Sequence, residues 1–263
     1  MAKFEADLYR QFRISYPLCL FESLKPYCQV LRGEKLQVLD LGAGTGLATR
    51  SFLQFYPDAE VTLVEPDANM LDEALRSFKA ERPIRSLLAS AESFHLPKIF
   101  DLALIASAWH WMSPQPTLAN LTRVLKPGGA VWLAEYQFPK AMGLVGISLN
   151  EWVRREFNLR WKPQSQVPRG SLDDLIAPFR RTAEWSQVKS LNVEEMHSLS
   201  LDHFLGVIFS QSRYLAFEVV FSEIEKVEYR AYVKKELSAL WGDKEAVKFS
   251  YTFHMYVFRQ RNF

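Results

Sequence analysis

Short apolar runs alternate with segments of helical periodicity through the first half of the chain. The runs are almost continuously apolar, and helices with capping residues separate them. This pattern is typical of parallel strands buried on both faces of a sheet. We predict strands at 36–41, 60–65, 84–89, 100–107 and 130–136, and helices at 46–55, from Asp67 to about 79, and from Pro114 to 126.

The second half of the chain has a different pattern, with many aromatic residues and longer helical segments. Ser171 and Asp174 form the spacing of a capping box. We predict an irregular helical segment at 138–168, a sixth strand at 179–191, a helix from Ser200 to 211, a long amphipathic helix at 221–241 closed by Gly242, and a last strand at 248–259. No linker-like tract interrupts the chain. We therefore expect one domain, 1–263, with helical cap insertions at 138–178 and 193–241.

A glycine-rich loop after the first predicted strand is the strongest chemical signal. Asp40 lies two residues before Gly42, and Gly44 and Gly46 follow at alternate positions. Glycines let the backbone turn sharply and approach a ligand closely. The dinucleotide fingerprint would need a small residue where Leu47 stands. Glu65, at the end of the second strand, is placed to accept ribose hydroxyls, as an acid does in dinucleotide-binding folds.

The loop, Glu65 and the sequence Leu125–Gly129 before the fifth strand together resemble the class I S-adenosylmethionine-dependent methyltransferases. The segments around Tyr16, Trp109–Trp111 and Arg213 resemble the trans-aconitate methyltransferase group, and the order of elements after the sixth strand is similar to the biotin-synthesis carboxyl methyltransferases. The resemblance implies a doubly wound α/β fold. Its sheet would have seven mostly parallel strands with the last antiparallel, and a helical cap over the carboxyl edge.

The same resemblance implies S-adenosyl-L-methionine as cofactor and assigns its contacts. Asp40 and a carbonyl near Gly42 would hold the ammonium, Gly44 and Gly46 would make room, and Glu65 would bind the ribose. Other residues would flank the adenine, lie beside the methionine part or close over the cofactor. The full set is Arg13, Tyr16, Asp40, Gly42, Ala43, Gly44, Gly46, Glu65, Pro66, Met70, Ser90, Ala91, Glu92, Ala106 and Ser107.

Three residues are candidates for contact with the methyl acceptor. His110 is either a general base or a residue of the pocket wall that bonds a carbonyl, and we favour the wall. Trp109 beside it would line the same pocket. Arg213 is either a clamp for a substrate carboxylate or a solvated surface arginine.

Composition restricts the possible partners. The formal net charge is +2 and neither half is strongly basic, which disfavours a nucleic-acid partner. Cys19 and Cys28 fit no zinc pattern, and no cluster of hard oxygen ligands stands out, so we expect no metal requirement. We find no signal-peptide pattern and no apolar run long enough to span a bilayer, and we expect a cytoplasmic protein.

The predicted function is methyl transfer from S-adenosylmethionine to a small molecule. A carboxylate acceptor is ionised at pH 7 and needs no base, and both resembled groups methylate carboxylates. One alternative is a hydroxyl or nitrogen acceptor with His110 as base. The other is a cofactor-binding module without catalysis.

Overall fold

The computed structural model describes residues 6–28, 34–78, 84–161 and 171–261. These residues divide into two compact units. The first, here called the sheet unit, contains the described residues of 15–136, 171–193 and 253–261. The second, here called the helical unit, contains the described residues of 6–14, 137–161 and 194–252.

The sheet unit is built on five parallel strands in the order β3-β2-β1-β4-β5. Residues 253–259 of an eighth strand pair antiparallel with the last of them, as predicted. A seventh strand pairs with the eighth, and both contribute residues to both units. The strands are β1 Gln37–Leu41, β2 Glu60–Glu65, β3 Arg85–Leu88, β4 Phe100–Ala106, β5 Leu125–Tyr136, β7 Trp185–Leu199 and β8 Val247–Gln260.

The central strands are buried on both faces. Successive side chains of a strand point to opposite faces of the sheet, so two buried neighbours show that both faces are covered. Val38 and Leu39 are both fully buried in β1, and so are Ala103 and Leu104 in β4. Helices connect the parallel strands and supply the covering layers. The helices of this unit are α2 Leu18–Glu22, α3 Leu47–Phe55, α4 Ala68–Ser77, α5 Pro114–Val124 and α7 Leu172–Arg180, with 3₁₀ turns at Lys25–Tyr27 and Trp109–Trp111.

Strand order reverses at β1, which lies between β2 and β4. The chain moves outward from β1 to β2 and β3, then returns to β4 and β5 on the other side. Loops that leave the carboxyl ends of β1 and β4 therefore diverge and open a crevice, where open α/β sheets bind ligands. The fold thus collects the loops after β1, β2, β3 and β4 at one edge.

The helical unit packs around buried aromatic residues. Phe12 lies against Gly206, where a side chain larger than hydrogen would collide with the ring, and its ring meets His203 edge to face at 5.4 Å. Phe204 contacts Phe249 at 4.6 Å between ring centroids. The elements of this unit are α1 Ala6–Phe12, β6 Lys140–Ala141, α6 Gly143–Leu159, α8 Leu201–Phe209, α9 Ser212–Glu218 and α10 Glu223–Trp241, with parts of β7 and β8.

The first-half strands and helices agree with prediction within one or two residues, except for β5. That strand begins at Leu125 rather than 130, because Leu125 already pairs with Phe100. The ladder is then irregular until Leu102 pairs with Ala130. Gly128 has a φ of 75° in this stretch, a conformation that favours glycine.

The second half departs further from the predicted elements. Residues 143–159 form a regular helix, not an irregular segment, and residues 162–168 of that prediction lie outside the described residues. The sixth long strand is Trp185–Leu199 rather than 179–191, because the helix capped by Ser171 continues to Arg180. The two-residue strand β6 brings the described strands to eight instead of seven.

Two of the predicted cap elements also differ from expectation. Helix α7, in the segment 138–178 predicted as cap, belongs to the sheet unit. Helix α10 has little amphipathic character in its first half, where Ile224 and Val227 are exposed, and only Val233, Leu237 and Trp241 are buried.

Candidate cofactor and acceptor site

The glycine loop is tied to the neighbouring strand by backbone hydrogen bonds. The N–H groups of Gly42 and Ala43 both donate to the carbonyl of Val64, at 2.8 and 3.2 Å. The loop closes with a bond from the Gly46 N–H to the Ala43 carbonyl at 2.9 Å, and α3 begins at the next residue. The loop is therefore a fixed structure at the end of β1.

The three glycines of this loop serve different purposes. All have positive φ, from 54° to 75°. A Cβ on Gly42 would lie 2.7 Å from that of Ala108, and one on Gly46 would lie 3.0 Å from the Phe78 ring. A Cβ on Gly44 would meet nothing within 4 Å. The Cβ position of Gly44 thus faces open space, whereas that of Gly46 is filled by Phe78 and Ala74. The cofactor contacts predicted for both glycines stay predictions.

Glu65 connects the glycine loop to the loop after β2. Its Oε2 accepts the N–H of Gly44 at 2.8 Å and its Oε1 accepts the N–H of Asp67 at 3.0 Å. Burial raises the pKa of Glu65, and these two backbone donors partly oppose the rise. Each carboxylate oxygen has two lone pairs, so each keeps one for a further donor. The arrangement leaves Glu65 able to accept two hydroxyls.

Asp40 is fully buried beneath the loop. Its Oδ2 accepts a short hydrogen bond from the Thr49 hydroxyl of α3, and its Oδ1 has no hydrogen-bond partner. Burial raises the pKa of Asp40 to about 7, against the opposing effect of the Thr49 bond, and the nearby Glu65 carboxylate adds to the rise. A buried, unpaired carboxylate oxygen is costly unless a donor or cation occupies it. This orphan atom fits the predicted contact with an ammonium group.

The residues predicted to lie near the adenine differ in exposure and in hydrogen-bond partners. Pro66 is exposed, while Met70 is only 5% exposed and lies in the first turn of α4, which Asp67 caps through its side chain. Glu92 accepts the N–H of Ser113 at 2.7 Å, and the Ala91 carbonyl accepts Asn120 Nδ2 at 3.0 Å.

Two of these residues therefore have structural partners. Glu92 fixes the start of α5, and Ala91 holds that helix through Asn120. The hydroxyls of Ser90 and Ser93 form a hydrogen bond with each other at 3.0 Å. Their predicted cofactor contacts stay predictions.

Ser107 ends β4 in a strained conformation. It is the non-glycine residue with positive φ, 50°, within the described ranges of the chain. The Tyr16 hydroxyl donates to its Oγ at 2.9 Å, and its N–H donates to the Ala134 carbonyl at 2.7 Å. Ala106 before it is partly exposed. Strain of this kind clusters at ligand sites, which agrees with the predicted position beside the methionine part.

Tyr16 itself is 4% exposed and packed among aromatic rings. Its ring lies edge to face with Trp132, Tyr136 and Phe253 at 5.8–5.9 Å between centroids. The structure therefore brings Tyr16 to the end of β4 as an anchored residue.

His110 pairs with a carboxylate that the sequence did not reveal. Its Nδ1 lies 3.1 Å from Oε1 of Glu135, which is on β5. Glu135 in turn lies opposite His254 of β8 in the antiparallel register. His254 contacts Asn192 Oδ1 through Nδ1 at 2.9 Å, and its buried Nε2 has no partner. Burial lowers the pKa of His254, while Glu135 acts in the opposite direction.

Trp109 is a core residue. It is fully buried, its indole N–H donates to the Leu175 carbonyl at 2.8 Å, and its ring lies 4.9 Å from that of Phe179. It joins the 3₁₀ turn to helix α7. Its predicted contact with the acceptor stays a prediction. Trp111, by contrast, is 39% exposed.

Arg13 and Arg213 belong to the helical unit. Arg13 donates to the Ser210 carbonyl at 3.0 Å and lies over the Tyr9 ring. The Arg213 guanidinium lies over the ring of Phe157 at 5.2 Å from its centroid. Their contacts with cofactor and acceptor remain predictions.

Comparison with known proteins gives this geometry a context. The family model described as "Methyltransferase domain" matches residues 38–129, which contain the glycine loop, Glu65 and Trp109–Trp111. Residues 38–129 form a methyltransferase domain. The predicted methyltransferase family is confirmed for this part of the chain.

The curated relatives match part of this chain rather than the whole of it. An uncharacterized methyltransferase of Mycobacterium tuberculosis is 36% identical over 126 residues, which are 48% of this chain and 47% of that protein. A malonyl-[acyl-carrier protein] O-methyltransferase of Halorhodospira halophila is 38% identical over 119 residues, 44% of this chain and 39% of the relative. The chain thus matches less than half the length of these relatives.

Solved structures show the same fold over nearly the whole chain. A protein assigned as a type II methyltransferase from Anaeromyxobacter dehalogenans is similar with a TM-score of 0.69 and 21% identity, covering 94% of this chain and 97% of the other. A Haemonchus contortus phosphoethanolamine N-methyltransferase in complex with S-adenosyl-L-methionine has a TM-score of 0.51 and 17% identity, covering 98% of this chain and 57% of that one. The predicted α/β fold is confirmed.

Searches for membrane spans and metal sites cover the described ranges alone. Within them, no helix is both long and apolar enough to cross a bilayer. In the same residues, no group of three or more His, Cys, Asp and Glu side chains is arranged to hold a metal ion.

Proposed function

We propose that this protein transfers a methyl group from S-adenosylmethionine to the carboxylate of a small molecule. The observation that carries the cofactor assignment is the buried, unpaired Oδ1 of Asp40 under a glycine loop with open space at Gly44. Asp40 accepts the ammonium and Glu65 accepts the ribose hydroxyls. The match of residues 38–129 to a methyltransferase domain supports both assignments.

The bound cofactor supplies a methyl group on a sulfonium centre, which leaves as a neutral thioether. The protein's own residues bind, align and exclude water, because an in-line displacement depends mainly on geometry. Tyr16 and Ser107 fix the backbone at the end of β4 beside the methionine part. Glu65 and Asp40 position the two ends of the cofactor on the neighbouring strands.

A carboxylate acceptor fits a site that need not remove a proton. Its reference pKa of about 4 leaves it ionised at neutral pH. Among the relatives, two malonyl-[acyl-carrier protein] O-methyltransferases, from Halorhodospira halophila and Anoxybacillus flavithermus, act on carboxyl groups by their names. These relatives support the choice of acceptor by analogy.

The contact between His110 and Glu135 favours a second candidate, methylation of a hydroxyl or nitrogen. A carboxylate that accepts the Nδ1 proton of an imidazole leaves the other nitrogen as a base, as in catalytic triads. The 3.1 Å separation is suitable for that role. The two candidates differ in one property: a base makes the rate depend on histidine ionisation, whereas an ionised carboxylate does not.

The acceptor can be found with radiolabelled methyl donor and a fractionated metabolite pool. We expect a labelled small molecule whose label is released by mild alkali, as from a methyl ester, and mass spectrometry then identifies it. The reaction is run with and without a chelator, and we expect equal rates because the described residues hold no group of three or more side chains arranged to bind a metal ion. Alkali-stable label would support an ether or amine product and the second candidate. No transfer at all, with cofactor bound, would support the module without catalysis.

A further inference from the structure

Two arginines of the helical unit are found at the turn between α8 and α9, one bonded to its backbone and one in the helix that follows. Arg13, at the end of α1, donates to the Ser210 carbonyl in this turn at 3.0 Å. Arg213 lies three residues further along, in the first turn of α9. Contacts of Phe12 with Gly206 and His203 hold the end of α1 against α8. Residues almost 200 positions apart in sequence thus place positive charge at one turn.

Among the described residues no carboxylate pairs with Arg213, whereas the partly buried Arg230 of the same unit pairs with Glu218. Arg213 is about half buried, and burial lowers its pKa with no opposing acid. Its one recorded contact is the Phe157 ring, 5.2 Å from the guanidinium carbon. A guanidinium stacked on a ring keeps its N–H edge available for a planar anion. Partial burial of a charge without a partner is a cost that a bound anion would remove.

The buried acids of the helical unit are already committed to other groups. Glu218 holds Arg230 through two bonds of 2.7 Å and accepts the Tyr214 hydroxyl at 2.6 Å. Glu156 accepts bonds from Arg160 and Tyr229 at 2.9 and 3.0 Å. Both carboxylates are therefore held by other partners, and neither pairs with Arg213. This leaves the Arg213 guanidinium open to an anion in solution.

We infer that Arg213, stacked on Phe157 beside the Arg13-bound turn, is a binding site for a small carboxylate. Arg213 supplies the bidentate contact and Phe157 holds its plane. Arg13 adds positive potential at the turn. As a site for the methyl acceptor this inference rests on the proposed function; as an anion site it stands without it.

The test uses the intact chain without methyl donor. Malonate is titrated at low ionic strength by calorimetry, with uncharged malonamide as the ligand control. The variants are Arg213→Gln and Arg213→Lys. The matched control is Arg154→Gln, which removes an exposed arginine of α6 that makes no ion pair with the described residues. Wild type and Arg154→Gln should bind malonate alike and ignore malonamide. Arg213→Gln should weaken malonate binding at least 10-fold, and Arg213→Lys should lie between, because lysine keeps the charge and loses the planar fork.

The site is overturned if wild type does not bind malonate, if malonamide binds equally, or if Arg213→Gln matches Arg154→Gln. If circular dichroism shows that Arg213→Gln does not fold, the test relies on Arg213→Lys. A malonate affinity of Arg213→Lys equal to that of the wild type would reject the bidentate site. S-adenosylhomocysteine is titrated into the same samples. Loss of that binding would reject the proposed function, whereas loss of malonate binding alone would reject only the anion site.

Discussion

The carboxylate of Glu65 accepts the backbone N–H of Gly44 at 2.8 Å, which joins the loop after β1 to the end of β2. The acid predicted to bind ribose therefore also fixes the loop predicted to receive the methionine part. One side chain, that of Glu65, thus contacts both loops of the predicted cofactor site, the one after β1 and the one after β2. Removing this carboxylate should disturb both loops.

Replacing Glu65 with alanine should weaken S-adenosylhomocysteine binding by about 1–3 kcal/mol, the range for leaving buried hydrogen-bonding groups unpaired. The measurement is calorimetric titration at pH 7.5. Glu60→Ala is the control, because Glu60 begins the same strand and pairs there with Lys35 and Arg85. Equal affinity in the two variants would remove Glu65 from the site.

Gly44 and Gly46 should respond differently to alanine. At Gly46 a Cβ meets the Phe78 ring at 3.0 Å, so Gly46→Ala should lower the melting temperature markedly, by several degrees for a loss of 1–2 kcal/mol. At Gly44 the Cβ would project into open space, so Gly44→Ala should cost mainly backbone strain and impair cofactor binding. Thermal unfolding with and without S-adenosylhomocysteine separates the effects. A larger stability loss at Gly44 than at Gly46 would contradict the geometry.

Asp40 should make the free protein less stable as pH rises from about 4 to about 7. Burial raises the pKa of Asp40 to about 7 in the fold, whereas an unfolded aspartate titrates near ~3.9. Between these values the folded state holds a proton that the unfolded state has lost, so raising the pH favours unfolding, and the effect is complete above the folded value.

Asp40→Asn should remove this decline, since asparagine keeps an acceptor for Thr49 and carries no charge. The free energy of unfolding is measured in urea at pH 5 and pH 8 for both proteins. The wild type should lose more stability than the variant over that interval. Equal changes would show that the Asp40 carboxyl is not the titrating group.

The pH dependence of methyl transfer separates the two acceptor candidates. With a carboxylate acceptor the rate should be flat from about pH 6 to 8, because that group titrates near ~4. With a histidine base the rate should rise with pH, because only the neutral imidazole can take a proton from the acceptor. Single-turnover rates for wild type, His110→Gln and Glu135→Gln provide the measurement. A rising profile that both substitutions abolish would favour the hydroxyl or nitrogen acceptor.

The sheet and its cofactor loop could be predicted because their signals are local. Apolar runs predict the strands. The spacing of Asp40, Gly42 and Gly44 predicts a ligand-binding turn from only a few neighbouring residues. Glu65 could be found because it ends a predicted strand. The caps formed by Asp67 and Ser171 were equally visible, and the structure confirms both.

Contacts between distant segments could not be predicted in the same way. The partnership of His110 with Glu135 depends on the register of β4 beside β5, which no local pattern reveals. The bond from the Trp109 indole to the Leu175 carbonyl likewise joins distant segments, and the sequence around Trp109 does not indicate it. Gly46 packs against Phe78, which lies 32 residues later in the sequence.

The central claim is that the loop of Asp40 and Gly44, with Glu65, holds S-adenosylmethionine. Calorimetric titration of the purified chain with S-adenosylhomocysteine and, separately, with NAD tests it most directly. We predict micromolar binding of S-adenosylhomocysteine, lost in Asp40→Ala, and no measurable binding of NAD. Tight binding of NAD with no heat from S-adenosylhomocysteine would contradict the account.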